Sequence, residues 1–362
     1  MARKSQKQFF AIAARDLDEI LRASSPDLEA LRGRKLFITG GTGFFGRWLL
    51  AALLRANAEL DLGLDLTVLS RNPAAFAAKH REIDGVRGLT FLPGDVASFS
   101  AGPRRFDSII HAAADTTAFT SEAGENARSR AIVAGTQRVL ELANLHGARL
   151  LNLSSGAVYG AAAGKRGGAK EDDYASARPL TPYGLAKREA EALCAESPAD
   201  FVTARAFAFL GPHLPLDAHF AAGNFLRDAL DGGPIQVRGD GTALRSYLYP
   251  SDLVIWLLRL MVRGRRGRAY NVGSDHAVST GQLARLIADA VEPKAEVVIQ
   301  SAQPQGPQNI YLPNVDRARA ELRLDVTVPL PEAITRTLDF LRGLIARGAE
   351  KGLDKPPEGP KN

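Results

Sequence analysis

A single cysteine, Cys194, stands in the 362 residues, which excludes an intrachain disulfide and any metal site built from several thiolates. No uninterrupted apolar stretch is long enough to cross a bilayer, and Met1 to Lys7 leads into no signal-peptide core. The expectation is a cytoplasmic protein with no membrane partner. Clustered charge is missing as well. The formal net charge is +6, but basic and acidic residues are interleaved, so there is no polyanion-binding stripe and nucleic acid is not an expected partner. A small phosphorylated substrate accounts for the surplus equally well. There is no internal repeat, and His111, His213 and His219 show no metal-ligand spacing, so no metal is expected. What remains, 45% hydrophobic and 24% charged, suits a soluble globular chain with room for one large domain or two lobes.

The stretch from Lys35 to Arg55 organises the rest. An apolar run, Leu36 to Ile38, breaks into Gly40-Gly41-Thr42-Gly43-Phe44-Phe45-Gly46, then into apolar residues at helical spacing, Trp48, Leu49, Ala52 and Leu53. Gly41, Gly43 and Gly46 fit G-x-G-x-x-G, and Gly40, Gly43 and Gly46 fit G-x-x-G-x-x-G. Glycines at a strand-to-helix junction let backbone approach a pyrophosphate, while the N–H groups opening the helix face the anion.

Short β-like runs alternate with helical segments through Leu66–Leu69, Leu89–Leu92, Ser108–His111, Leu150–Leu153 and Phe201–Ala204. That alternation predicts an α/β fold, a Rossmann-like doubly wound parallel sheet with ligands at the carboxyl ends of its strands. Residues 1–33 precede it as a helical extension, with Phe9 to Leu21 expected as a helix and Ile12, Leu17, Ile20 and Leu21 on one face. The dinucleotide-binding domain is expected over 34–205. A smaller mixed α/β lobe that binds substrate is expected mainly over 206–348, with helices near Ala221–Leu230, Asp252–Arg263, Thr280–Ala290 and Pro331–Ile345. Residues 349–362, rich in proline and charge, read as a disordered tail.

A carboxylate ending the second strand binds a ribose 2′-hydroxyl, whereas an arginine accommodates a 2′-phosphate. Here Leu69 is followed by Ser70, Arg71 and Asn72, which leans the NAD(P) expectation towards NADP. Asp95 and Val96 are placed for the adenine end, and Ala112, Ala113 and Ala114 for a small-residue wall beside the cofactor. Downstream, Tyr183 and Lys187 are spaced i, i+4, so they share a helix face and the ammonium can lower the phenol pKa. A phenolate so stabilised can take a proton from a carbinol.

With Thr39–Gly46, Ser154–Gly160, Tyr183–Lys187, Arg205–Pro212, Arg245–Asp252 and Tyr270–Gly273 in this order, the chain resembles the extended short-chain dehydrogenase/reductases, in particular the nucleotide-sugar epimerase and dehydratase family. The resemblance spans about Lys35 to Leu344. It implies that Ser155 is catalytic with Tyr183 and Lys187, and that Tyr183 and Lys187 also touch the cofactor. It further implies that Arg245 meets the diphosphate of a nucleotide sugar, with Asn224 able to bind the same group, and that Asp115, Thr116 and Thr117 could face the sugar. Dimerisation is implied through two helices per subunit, here those ending near Leu145 and Ala195.

Family dehydratases follow their catalytic threonine with an Asp-Glu pair; here Gly156 and Ala157 stand there. Neither transfers a proton, which favours a 4-epimerase, or a ketoreductase if the cofactor exchanges. A 4,6-dehydratase using Asp115 is the alternative within the fold, and a non-catalytic dinucleotide-binding regulator the alternative outside it. Two departures stand out. Ala208 replaces the family's asparagine, and Gln308 and Asn309 lie where a second arginine is expected.

Overall fold

The computed structural model describes residues 8–114, 121–160, 164, 167–179, 181–218, 220–301 and 309–347. Its first strand, β1 (Lys35–Thr39), is followed by α2 (Phe44–Leu60), β2 (Asp65–Ser70), α3 (Pro73–Lys79), β3 (Leu89–Pro93), β4 (Ser108–His111), α4 (Glu122–His146), β5 (Arg149–Ser155), α5 (Pro182–Glu196) and β6 (Phe201–Ala206). Together with β9 (Arg268–Val272) these strands form one seven-stranded sheet in the order β3-β2-β1-β4-β5-β6-β9. Every pairing in it is parallel.

Parallel strands need crossover helices, which bury the sheet on both faces and make its strands apolar throughout. Along β1, Leu36 and Ile38 enter the core formed with α2, α7 (Pro250–Arg263) and α1 (Ala14–Ala30). Phe37, pointing the other way, enters the core of α4 and α5 with Ile109, Val139 and Cys194. The alternation is the two-residue period of a strand read directly on burial.

After residue 206 the chain returns to the sheet, where β9 adds the seventh strand beside β6 and α7 packs beneath β5 and β6. The run Arg268-Ala269-Tyr270-Asn271-Val272 lacks consecutive aliphatic residues, so its membership in the sheet has no clear signal in sequence. At the other end the first helix begins at Ala14, not Phe9. Phe10 and Ala11 both adopt φ of 54°, outside the helical range. The Phe10 N–H donates to Glu82 Oε1 at 3.0 Å, and its ring packs on Phe76 and His80.

The helix α1 is fixed by charge as well as by apolar contact. Buried Asp16 accepts from Tyr249 Oη at 2.9 Å and from Arg336 Nη1 at 2.5 Å, while buried Asp27 accepts from Arg259 and Arg263. Tyr249 caps α7, which carries both arginines, and Arg336 lies on α10 (Leu330–Ala346). Beyond β6 the remaining elements are α6 (Ala221–Leu230), β7 (Ile235–Val237), β8 (Leu244–Arg245), β10 (Val278–Ser279), α8 (Thr280–Ala288), β11 (Val297–Ile299) and α9 (Asp316–Leu322). Two small sheets, β10-β8 and β11-β7, build the second lobe. No helix among the described residues is long and apolar enough to cross a membrane.

Candidate active site

The sheet order reverses between β1 and β4, and a crevice at that point is where open α/β sheets take ligands. The glycine turn lies at its rim. Gly40 has φ of +73°, and a Cβ there would stand 2.5 Å from the Ala112 carbonyl carbon and oxygen. A Cβ on Gly46 would stand 2.3 Å from Gly40 O and 2.4 Å from Gly41. Side chains are therefore excluded from both positions, and α2 starts against the turn with Gly43 as its N-cap. No side chain caps that helix, so its first N–H groups are left for an anion. Phe44 and Phe45 follow in the first turn, and Phe45 packs edge-on against Phe209 at 4.7 Å.

Thr39 ties the turn to the neighbouring strand. Its Oγ1 accepts from Ala113 N at 3.2 Å and lies 2.8 Å from His111 Nδ1. Burial holds His111 well below the ordinary imidazole range, at about 3, with the Lys187 charge adding to the effect, so the ring is neutral and structural. Ala112, Ala113 and Ala114, the residues expected as a small wall, follow it and are half-buried. Ser70 is buried at the end of β2, its carbonyl accepting from Gly94 N at 3.0 Å, and Arg71 is exposed beside it. Asp95 is exposed, and its carboxylate accepts from Ala97 N at 2.9 Å. Val96 packs over Gly135 of α4, where a Cβ would stand 3.0 Å from its side chain.

Ser155 ends β5 in the same crevice. It is buried, and its Oγ accepts from Ala157 N at 3.2 Å as the chain turns. The next helix is capped by Thr181, which accepts from Gly184 N at 3.1 Å, and opens with Pro182. That start, and the absence of a side chain at Gly184, whose Cβ would lie 2.7 Å from Ala157 O, bring Tyr183 down onto Ser155. Burial raises the Tyr183 pKa, while hydrogen bonding to Ser155 and the positive charge of Arg128 act to lower it. The Arg128 guanidinium lies 5.2 Å from the centre of the Tyr183 ring.

Lys187 is where the helical spacing puts it, one turn on and buried, but its ammonium donates to Leu153 O at 2.7 Å. Burial lowers its pKa to about 8, with Glu191 opposing. Arg128, a neighbour from α4 that the i, i+4 spacing does not reveal, adds a second cation near the phenol. Beneath the site Glu191 is shared between Ser154 Oγ and the buried Arg205, whose Nη2 lies 2.7 Å from Glu191 Oε2. Arg205 also donates to Tyr159 Oη at 2.8 Å.

On the substrate side, Arg245 in β8 is half-buried, and burial lowers its pKa while Tyr247 and Tyr311 act in the opposite direction. Its Nη1 donates to Leu244 O and Asn309 O. Asn224 lies in the first turn of α6, where its Oδ1 accepts from Arg227 at 3.4 Å. Asp115, Thr116, Thr117, His219 and Gln308 lie outside the described residues. Sequence reasoning missed Tyr311 and Phe207. A Cβ on Gly156 would meet the Phe207 ring and the Tyr311 Oη, each at 2.7 Å, and Ser155 is the side-chain hydrogen-bonding neighbour of both Tyr183 and Tyr311. The one available signal was indirect, since Tyr311 stands close to where the second family arginine was expected.

Comparison with known proteins agrees with this geometry. Residues 36–273 match the model of the NAD dependent epimerase/dehydratase family. UDP-glucuronic acid decarboxylase 1 of Xenopus tropicalis is 28% identical over 321 residues, covering 85% of this chain and 72% of the relative. A dTDP-glucose 4,6-dehydratase of Streptomyces griseus is 27% identical over 315 residues, 84% of this chain and 92% of the relative. Among solved structures, the dTDP-glucose 4,6-dehydratase of Streptomyces venezuelae with NAD bound superposes with a TM-score of 0.74 at 25% identity, covering 88% of this chain and 100% of that one.

Proposed function

Since the chain belongs to the NAD-dependent epimerase/dehydratase family, we propose that it is a nucleotide-sugar epimerase that oxidises a sugar hydroxyl at C4 to a transient ketone and restores it from the opposite face. The observation that carries this reading is the filling of the space beside residue 156. Where elimination would need an acid and a base, Gly156 and Ala157 offer none, and Phe207 and Tyr311 close the space an acid at 156 would enter. Oxidation and return of hydride at one carbon need only a phenol and an aligning hydroxyl.

The glycine turn fits a dinucleotide, because Gly40 and Gly46 leave backbone where any Cβ would stand and the opening N–H groups of α2 are uncapped. NAD(P), when bound, supplies the hydride acceptor and donor. Within this chain Tyr183 takes the hydroxyl proton as phenolate, and Ser155 aligns the oxygen that loses it. Lys187 and Arg128 place positive charge on the phenolate side. Arg245 binds the diphosphate, for which a guanidinium is geometrically suited, and the held nucleotide lets the ketone turn without leaving. Ser70 and Arg71, with no carboxylate ending β2, support a preference for NADP. Dimer formation through α4 and α5 is supported by Leu145, 74% exposed, and Leu185, 56% exposed.

Incubation with a panel of nucleotide sugars, followed by mass spectrometry and chromatography of the products, tests the reading. A stereoisomer of unchanged mass is expected. A stable product lighter by one water would assign a 4,6-dehydratase, and one lighter by carbon dioxide a decarboxylase.

A further inference from the structure

Ser155 faces two phenols, and only one of them belongs to the Tyr-Lys pair. Residues 309–311 run along β8, where Leu244 N donates to Asn309 O at 2.9 Å and Tyr311 N donates to Leu244 O at 3.0 Å. This pairing carries the Tyr311 ring over Phe207, with ring centres 4.9 Å apart. Its hydroxyl then stands 2.7 Å from the Cβ that Gly156 lacks. The glycine beside the catalytic serine is thus the opening through which a second phenol reaches it.

A serine hydroxyl has one proton to give and two lone pairs to receive. One lone pair of Ser155 is taken by Ala157 N–H. A phenolate at Tyr183 can only accept, so the serine proton goes there, and a second phenol at the same serine has only the remaining lone pair to fill. Resting on the function proposed above, we infer that Tyr311 is a positioning residue for Ser155. Its hydroxyl donates into the open lone pair of Oγ and commits the serine proton to Tyr183 and, in the loaded site, to the substrate oxygen.

The electrostatics run the same way. Burial raises the Tyr311 pKa above the ordinary phenol value and the proximity of Tyr183 raises it further, while hydrogen bonding to Ser155 and the Arg245 charge act to lower it. Two phenols sharing one serine cannot both ionise easily, and each has a cation near it, Arg128 at Tyr183 and Arg245 at Tyr311. With Tyr183 as the proton acceptor of the function proposed above, Tyr311 is the member of the pair that keeps its proton and remains a donor. A donor behind the serine strengthens the hydrogen bond the serine makes in front.

The test is an ultraviolet phenolate titration of the whole protein without substrate, with Tyr183→Phe identifying the step that belongs to Tyr183. Tyr311→Phe keeps the ring against Phe207 and removes only the oxygen; its thermal midpoint is measured alongside. Tyr311→Phe is expected to move the Tyr183 step to higher pH by about half a unit or more. Ser155→Ala is expected to move it as well, and adding Tyr311→Phe to Ser155→Ala should move it no further. An unchanged Tyr183 step in Tyr311→Phe overturns the inference. So does a Tyr311→Phe shift that persists in full without the serine. The titration uses no sugar, so failure of the epimerase reading, seen as no hydride exchange with any nucleotide sugar, is a separate result.

Discussion

The two halves of the crevice are built on opposite principles. The dinucleotide half is one continuous stretch, Thr39 to Gly46, shaped by side chains that are absent: a Cβ added at Gly40 or Gly46 would stand within 2.5 Å of backbone. The half we propose for the substrate is assembled from five separated places, Ser155, Tyr183, Phe207, Arg245 and Tyr311, and is shaped by side chains that are present. The first half accepts no addition because its neighbours are backbone. In the second the neighbours are side chains, as where the phenol of Tyr311 occupies the space beside Gly156.

Breaking the first half should have the largest effect. Gly46→Ala forces a Cβ into backbone carbonyls and is expected to reduce dinucleotide affinity at least about a hundredfold, a loss of roughly 3 kcal/mol at the top of the range for overpacking. Calorimetric titration with NAD and NADP reads it, and affinity within threefold of the parent would show that the turn is not the phosphate cradle. In the other half, Arg245→Ala should raise KM for the nucleotide sugar by about ten- to a hundredfold, the loss of a charge-assisted contact. Dinucleotide affinity should stay unchanged. A fall in dinucleotide binding with unaltered KM would move Arg245 to the wrong half.

Smaller still is the cost of Gly156→Ala. Its Cβ meets two rings rather than backbone, so a destabilisation of about 1–3 kcal/mol is expected, as a lowered thermal midpoint with dinucleotide binding retained. A further effect concerns pH. Lys187, at about 8 when folded against 10.5 as its ordinary value, is the depressed member of the folded–unfolded pair. Below about 8 both states hold the proton. Between the two values only the unfolded chain does, so its contribution to stability rises with pH across that window. Turnover that depends on the ammonium falls over the same range. A stability curve and a rate profile moving in opposite directions above pH 8 would bear this out, and a flat rate profile there would remove Lys187 from the electrostatics of the site.

The same contrast explains what could be read from sequence. The strands β1 to β6, the glycine turn and the Tyr183–Lys187 pair are local patterns, fixed by a period of two, a backbone conformation or one helical turn. Each is found where its residues predict. The seventh strand, β9, is mixed in composition and joins the sheet only because α7 carries the chain back beneath it. Arg128 reaches the Tyr183 ring from α4 and Tyr311 reaches the serine from beside β8, and no spacing within either segment announces these meetings. The start of α1 differs from the sequence expectation for a related reason: Phe10 and Ala11 lie outside the helical range, and Phe10 is held there by contacts with Glu82, Phe76 and His80.

The central claim is that the Tyr183 phenol, beside Ser155, is the group that takes the substrate proton. It is tested most directly by following the near-ultraviolet absorbance of reduced nicotinamide in one turnover, with an accepted nucleotide sugar and either the parent protein or Tyr183→Phe. The account predicts rapid reduction in the parent and a rate lower by about a hundred- to ten-thousandfold in the variant, with dinucleotide binding intact. Reduction at the parent rate without that hydroxyl would contradict it.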